Sequence, residues 1–181
     1  YVFAGDGSEP TLLPMPMCNY ATVSPNGRWA AASSWRGSES DLRVWELASG
    51  KEVLHRTNTQ AALAFTPDGH WLVLQTTDFN ECLEVGTWKA VSHSAREPGQ
   101  RKFALSIDAR WAALQQGSRQ IALCELPAFR PILTLDTDLE SPMCLSRNQL
   151  LLTRRINGQF KLWDLDLIRE QLTALGLGWQ N

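Results

Sequence analysis

One sequence pattern recurs four times along this 181-residue chain, at intervals of about forty residues. The first three copies open with SPNGRW, TPDGHW and SIDARW, whose tryptophans are Trp29, Trp71 and Trp111, and a shorter fourth copy, SRNQL, begins at Ser146. A second marker recurs at steps of 38, 41 and 39 residues, at Trp45, Leu83, Cys124 and Trp163. Two markers in phase at this period indicate a repeat protein.

Within each copy, short runs rich in Val, Leu, Ala and Trp are separated by Gly, Pro, Asn and Asp, which is the pattern of strands joined by turns. In the first copy we predict strands near residues 20–23, 29–34, 42–47 and 52–56. The innermost strands of the later copies are predicted, all apolar, at 63–65, 103–105 and 143–145. The chain is therefore predicted to be all-β, with about four four-stranded antiparallel meanders.

The turn between the first two strands of a copy contains Asn26-Gly27 in the first copy and Asp68-Gly69 in the second. Glycine adopts a positive φ without steric cost, so these pairs predict tight turns. The third copy has Ala109 at the glycine position, and the fourth has Asn148-Gln149. We therefore expect the last two turns to be looser or differently shaped.

The third strand of a copy ends in a characteristic pair, Trp45-Glu46 in the first copy and Trp163-Asp164 in the fourth. With this pair and its forty-residue meander, the chain resembles a WD-repeat (WD40) β-propeller over nearly its whole length. The middle copies keep only the acidic residue of the pair, as Glu84 and Glu125. No copy has the Gly-His pair whose His anchors a hydrogen-bond relay to the Trp, so the resemblance implies blades held mainly by apolar packing.

The C-terminal sequence WDLDLIREQLTALGLGW resembles the end of WD-repeat regions in large bacterial proteins of planctomycete type. In that group the propeller commonly follows a Ser/Thr protein kinase or another signalling domain. This chain has no Gly-rich phosphate loop, HRD run or DFG run. The resemblance thus implies a signalling protein in which any catalytic domain lies upstream.

The repeats divide the chain into six parts. Residues 1–16 are predicted to end a preceding blade, residues 166–181 to form a helix and tail, and the four repeats to span 17–59, 60–99, 100–140 and 141–165. Because the first residues look like the remnant of a blade, we expect the native protein to extend upstream. Propellers close as rings, typically of four to eight blades, so the remaining blades, as a second chain, are one candidate partner.

The tail has the pattern of a short amphipathic helix, with Ile168, Leu172 and Leu175 on one face. Asp166 is the predicted N-cap, and Gly176 is the predicted stop. Two roles are open for this helix. It is either a lid on the last blade, which we favour, or a docking helix for a partner.

The composition excludes several classes of function. A net charge of −2, with basic residues clustered only at sites such as Arg154-Arg155, argues against a nucleic-acid partner. No apolar run approaches the roughly twenty residues that cross a bilayer, so we expect no membrane insertion and favour a cytoplasmic location.

No residue pattern predicts a catalytic, cofactor or metal site. The four cysteines form no CxxC pair and lie in apolar runs, which predicts buried free thiols at Cys18, Cys82, Cys124 and Cys144. The histidines lack the spacing of metal ligands, at His55, His70 and His93. Recurrent Ser and carboxylate residues occupy equivalent repeat positions, which indicates roles in turns and on the surface.

The loops after the second and fourth strands share one rim of a propeller, where partners usually bind. In this chain they are irregular, at 35–39, 78–80, 96–100, 136–140 and 154–157. Aromatic and Arg side chains are enriched among interface hot spots. The candidate partner-binding residues are therefore Trp35, Arg36, Phe79 and Arg155. The opposing interpretation is that each of them folds over its own blade.

The sequence thus predicts a non-catalytic propeller scaffold for protein recognition or sensing within a multidomain bacterial protein. One alternative is the regulatory C-terminal part of an enzyme whose kinase or protease domain lies upstream. A second alternative is a propeller enzyme or glycan binder with a site in its channel, and the apolar innermost strands argue against it.

Overall fold

The computed structural model of the chain describes residues 12–34, 40–96 and 102–178. These residues form four antiparallel β-sheets that follow one another along the chain, and a C-terminal helix. In each sheet the strands lie side by side in chain order, so each sheet is a meander. The all-β prediction is confirmed.

The strand bounds follow the repeat. The first sheet contains β1 (Cys18–Val23), β2 (Trp29–Ser34), β3 (Asp41–Glu46) and β4 (Lys51–Thr57). The second contains β5 (Ala62–Phe65), β6 (Trp71–Gln75), β7 (Phe79–Glu84) and β8 (Ala90–Ala95). The third contains β9 (Phe103–Leu105), β10 (Trp111–Gln116), β11 (Gln120–Glu125) and β12 (Arg130–Asp136). The fourth contains β13 (Glu140–Leu145), β14 (Leu150–Arg155) and β15 (Phe160–Asp164), and α1 (Leu165–Ala174) follows it.

Within residues 12–34, 40–96 and 102–178 the fourth sheet has three strands, so the expectation of four strands in every copy is not met there by the last one. In the first copy, the turn at Ser49-Gly50 leads from β3 into β4. After β15, the carboxylate of Asp164 accepts a hydrogen bond from the backbone N–H of Leu167 at 2.9 Å and caps α1. The helix-forming tail thus takes the place of a fourth strand.

The N-cap of helix α1 lies two residues before the predicted one, because Asp164 and not Asp166 has the extended backbone of a cap. Asp166 instead lies in the first turn, where it accepts a hydrogen bond from Arg169 at 2.7 Å. Gly176 has a φ of 74° and ends the helix as predicted. The N–H groups of Gly176 and Leu177 donate to Thr173 and Leu172 in a Schellman arrangement. No helix in the described ranges has the length and apolar character needed to cross a membrane.

The turns between first and second strands keep one geometry in the first three sheets. Gly27 and Gly69 have φ values of 67° and 74°, and Ala109 also adopts a positive φ, 61°. Asp108 holds the third turn together, because its carboxylate accepts hydrogen bonds from the Ser106 hydroxyl and the Arg110 N–H. The expectation of a looser third turn is therefore wrong. The fourth turn is one residue shorter, with Gln149 at a φ of 54°.

The core consists of apolar layers between successive sheets. In the first three sheets, the forward face is the one that packs towards the next sheet along the chain, and the backward face is the opposite one. In the fourth sheet, the forward face is the one formed by the equivalent repeat positions. Three buried clusters fill the three junctions. The first contains Trp29, Val44 and Leu72, the second Val73, Cys82 and Leu114, and the third Trp111, Leu123 and Leu151. First strands of neighbouring sheets also touch, because β1 contacts β5 and β9 contacts β13.

Helix α1 completes the third junction. Leu165 is buried in the cluster between the third and fourth sheets, and Ile168 packs against it. The helix contacts β14. These contacts come from the start of the helix, whereas Leu175, predicted on the same apolar face as Ile168, is 72% exposed. The choice between a lid and a docking helix stays a prediction.

Candidate partner-binding rim

Two of the four predicted partner-binding residues, Phe79 and Arg155, belong to the described part of the chain. Trp35 and Arg36 lie outside the described residues, so their prediction stays as it was made. Phe79 begins β7, and Arg155 ends β14. These two residues occupy corresponding hairpins of the second and fourth sheets, and each contacts residues of its own part of the chain.

Phe79 lies against its own sheet. The hydroxyl of Thr76 accepts a hydrogen bond from the Phe79 N–H at 3.1 Å and donates to the Phe79 carbonyl at 3.0 Å, which fixes the hairpin. The ring stacks on His93 of β8, with centroids 4.5 Å apart and an interplanar angle of 29°. The side chain is half-buried in this position.

Arg155 connects two loops at the same end of the fourth sheet. Its guanidinium donates to the carboxylate of Asp138 at 2.7 Å, and its Nε lies 3.5 Å from Oε1 of Glu140. Asp138 lies in the loop between β12 and β13. Arg155 therefore holds this acidic loop over its own hairpin while part of its side chain remains exposed.

A buried polar relay lies beneath Arg155. Glu140 is 1% exposed. Its Oε2 accepts hydrogen bonds from the Thr153 hydroxyl at 2.6 Å and from the Trp163 indole N–H at 3.3 Å, and the same indole N–H lies 3.1 Å from the Thr153 hydroxyl. Sequence reasoning missed this relay. Thr153 could have indicated it, because this hydroxyl residue stands where the other sheets have apolar residues, namely Ala32, Leu74 and Leu114.

Arg96, in another of the predicted rim loops, is buried and ties two sheets together. Its guanidinium donates to the backbone carbonyls of Thr76 at 2.7 Å and Gln115 at 3.4 Å. Thr76 follows β6 of the second sheet, and Gln115 lies in β10 of the third. The rest of this loop, residues 97–100, lies outside the described residues. The role of Arg96 is therefore to join neighbouring sheets.

Two of the four free cysteines are buried and two are exposed. Burial raises the pKa of Cys82 to about 12 and that of Cys124 to about 11, so these thiols stay protonated. Cys18 and Cys144 are exposed, and the prediction of four buried thiols is wrong for them. Cys144 is exposed because it lies on the forward face of the fourth sheet, which no described element covers.

The histidines contact separate partners. His55 Nε2 lies 3.1 Å from Asp41, His70 Nδ1 lies 2.9 Å from Asp68, and His93 stacks on Phe79. Within the described part of the chain, no group of three or more His, Cys, Asp and Glu side chains is arranged to hold a metal ion. Of the predicted rim residues, the described surface thus carries a half-buried phenyl ring and a partly exposed guanidinium. Aromatic and Arg side chains are enriched at protein interfaces.

Comparison with known proteins gives a similarity of fold. No family model and no curated protein matches the chain. The computationally designed Ika4 protein matches it with a TM-score of 0.66 at 13% identity, over 85% of this chain and 95% of that one. Hydrazine synthase of Kuenenia stuttgartiensis matches with a TM-score of 0.65 at 16% identity, over 91% of this chain and half of that one. At these identities the chain is similar to both proteins in fold alone.

Proposed function

We propose that the chain is part of a WD-type β-propeller that serves as a rigid, non-catalytic scaffold for protein recognition within a multidomain bacterial protein. One observation carries this proposal. Three successive junctions are built alike, with the forward face of one meander packed on the backward face of the next. Stacking of four-stranded meanders through the same repeat positions is the building rule of propellers.

Polar contacts across the junctions support the rigidity that a scaffold needs. The Ala61 N–H donates to the Ser33 hydroxyl at 3.0 Å between the first and second sheets. Arg96 joins the second sheet to the third, and the Ser141 hydroxyl donates to the Gln115 side chain at 3.0 Å between the third and fourth. Each junction thus combines an apolar layer with a hydrogen bond near the rim end.

The rim itself supports recognition. Phe79 and Arg155 are each held by contacts with neighbouring side chains, so little conformational entropy is lost when a partner binds them. Trp35 and Arg36, which lie in sequence between β2 and β3, remain predicted members of this surface. Among the described residues, Phe79 and Arg155 offer the partner an aromatic ring and a guanidinium group.

Site-specific photo-crosslinking tests the proposal. Benzoylphenylalanine would replace Phe79 or Arg155 in the full-length protein in the cells that produce it, and cross-linked proteins would be identified by mass spectrometry. Ile107 is the matched control, because it is exposed in the turn between β9 and β10, at the opposite end of a meander. We expect the same partner at positions 79 and 155 and not at 107. No partner at either rim position, or equal labelling at all three, would contradict recognition through this rim.

A further inference from the structure

Two large aliphatic side chains are exposed at the rim end of the fourth sheet. Leu139 immediately precedes β13, and Ile156 immediately follows β14. The last pair of the ladder between these strands is Glu140 with Arg155, so Leu139 and Ile156 leave the sheet side by side. Leu139 is 41% exposed, and Ile156, at 77%, is the most exposed large apolar side chain of the described residues. We name these two residues the apolar pair.

The repeat does not require apolar residues at these two positions. Counted from the start of the second strand, Ile156 corresponds to Thr77 of the second sheet and Gly117 of the third. Leu139 corresponds to Gln60, in the connection that leads into β5. Neither member of the apolar pair belongs to the buried clusters that fill the junctions. Packing between the sheets therefore does not explain why these residues are apolar.

The backbone at Leu139 is strained. Its φ of 54° lies in the left-handed region, which disfavours a side chain with a Cβ and suits Gly or Asn better. A leucine at this position adds strain without filling a junction between sheets. Strained backbone of this kind persists where the surrounding structure holds it, and it is concentrated at functional sites.

Hydrogen bonds hold both loops in place. Arg155 donates to Asp138 at 2.7 Å and so joins the loop before β13 to the hairpin after β14. Within that hairpin, the Gly158 N–H donates to the Arg155 carbonyl at 3.0 Å, and the Arg155 N–H donates to the Gln159 carbonyl at 2.8 Å. The apolar pair is thus presented on a fixed surface, which lowers the entropy lost when a partner binds.

The side chains around the apolar pair include three unpaired cations. Lys102 precedes β9, Arg119 lies between β10 and β11, and Arg154 is the second-last residue of β14, all at the rim end and all exposed. No carboxylate of the described ranges forms an ion pair with any of them. The nearby carboxylates of Asp136 and Asp138 already accept hydrogen bonds within the chain. The charges left free at this end are therefore positive.

We propose that the rim end of the third and fourth sheets binds an acidic segment of a partner protein that carries an apolar anchor residue. The anchor packs against the apolar pair, and carboxylates of the segment pair with Lys102, Arg119 and Arg154. Removing the apolar pair from water is favourable, and opposite charges speed the encounter and select the partner. The inference rests on the proposed recognition function and adds the chemistry of the partner to it.

The test selects peptides that bind the full chain from a random library displayed on phage. The readout is the composition of those peptides that no longer bind the variant Ile156→Asn. We expect them to be rich in Asp and Glu around one large apolar residue. Ile107→Asn is the matched control, because Ile107 is also exposed but lies in the turn between β9 and β10, at the opposite end of a sheet. This control variant should retain the peptides.

Fluorescence anisotropy with a selected and labelled peptide locates the site. Ile156→Asn should weaken binding by about tenfold or more, because the apolar contact is lost. Leu139→Asn should weaken it as well without disturbing the fold, because Asn tolerates the left-handed conformation. Arg154→Glu should weaken binding severalfold, and a peptide with Lys in place of an acidic residue should regain affinity for that variant.

Several results would overturn the inference. These are the recovery of no peptide that needs Ile156, such peptides without an excess of acidic residues, or unchanged affinity for Arg154→Glu. Single-stranded DNA that displaces the peptide and requires Arg119 and Arg154 but not Ile156 would assign the site to nucleic acid instead. Cross-links from positions 79 and 155, combined with selected peptides that lack acidic residues, would refute this partner chemistry and leave the rim function standing.

Discussion

The first and fourth sheets follow the same repeat, yet they bury equivalent residues to opposite extents. Leu42 and Val44 of β3 are fully buried between the second sheet and β4, whereas Phe160 and Leu162 of β15 are largely exposed. The side chains are alike in hydrophobicity and similar in size. The repeat pattern therefore determines which residues share a face, and the neighbouring strand and sheet determine whether that face is buried.

The tryptophans of the Trp-Asp and Trp-Glu pairs show a second difference between these sheets. Trp45 is buried in an apolar cluster with Ala30 and Ala32. Trp163, at the same repeat position, is half-buried and donates its indole N–H to Thr153 and Glu140. Apolar packing holds the first ring, and hydrogen bonds orient the second. The sheet with fewer strands thus relies more on a polar network.

The largest effect is expected at a junction between sheets. Trp111→Ala should destabilise the chain by about 3–5 kcal/mol, because it removes a buried ring between the third and fourth sheets. Leu150→Ala, at the equivalent and half-buried position of the fourth sheet, should cost about 1 kcal/mol. Urea unfolding measures both. Trp111→Phe is the size control, and its free energy of unfolding should lie between those of wild type and Trp111→Ala. An unchanged thermal midpoint in Trp111→Ala would show that the repeat alignment is wrong.

A matched pair of substitutions tests the comparison of the two faces directly. Leu42→Ala should cost about 2–5 kcal/mol, because a fully buried side chain leaves a cavity. Phe160→Ala, at the same repeat position, should change stability by about 0.5 kcal/mol or less, because its ring faces solvent. The free energies of unfolding come from urea titrations of both variants. A loss of similar size in both would mean that the forward face of the fourth sheet is covered in solution.

The polar relay provides an intermediate effect. Thr153→Val keeps the side-chain shape but removes the hydroxyl that bonds to Glu140, so a buried carboxylate loses a donor and stability should fall by about 1–3 kcal/mol. Thr153→Ser keeps the hydroxyl and should cost less. The near-ultraviolet circular dichroism of Trp163 reports whether its ring remains oriented. Equal stability of the valine variant and wild type would show that the relay does not contribute.

A smaller effect, in the stabilising direction, is expected in the third turn. Ala109 adopts a left-handed conformation that disfavours a Cβ, and Gly27 and Gly69 occupy the same position in the first two sheets. Ala109→Gly should therefore raise stability by up to about 1 kcal/mol. Ala112→Gly, three residues along in strand β10, should lower it, because glycine in a strand interior loses more conformational entropy on folding. A loss of stability in Ala109→Gly would mean that the Ser106 and Asp108 hydrogen bonds already relieve the strain.

The smallest effect concerns the pH dependence of the first sheet. A hydrogen bond from Arg43 lowers the pKa of Asp41 below its ordinary 3.8; burial opposes this shift, and His55 adds to it. Because the folded pKa is depressed, the contribution of Asp41 is present above pH 3.8 and is lost as the pH falls through the folded pKa. The stability difference between wild type and Asp41→Asn should therefore shrink in acid. A difference that stays constant down to about pH 2 would contradict the assigned ion pair.

Much of the fold could be predicted from the sequence, since alternating apolar runs and turn residues gave the strands of the first copy within two residues of their observed ends. Three features could not. The positive φ of Ala109 depends on side-chain hydrogen bonds within its turn. The polar relay of the fourth sheet depends on Glu140 and Trp163, which lie far apart in sequence. The number of strands in the fourth sheet depends on competition between strand and helix after Asp164. At the candidate rim, the sequence predicted where the hairpins lie, but the stacking of Phe79 and the burial of Arg96 could not be predicted because they are tertiary contacts.

Amide hydrogen exchange of the native chain tests the central claim most directly, namely that the fourth sheet follows the plan of the first without its fourth strand. The claim predicts slow exchange at Leu42 and Val44 of β3. In β15 it predicts slow exchange at Lys161 and Trp163, whose N–H groups face β14, and fast exchange at Phe160 and Leu162, whose N–H groups face the open edge. Protection of Phe160 and Leu162 equal to that of Leu42 and Val44 would contradict the claim, because it would mean that a strand already pairs with this edge.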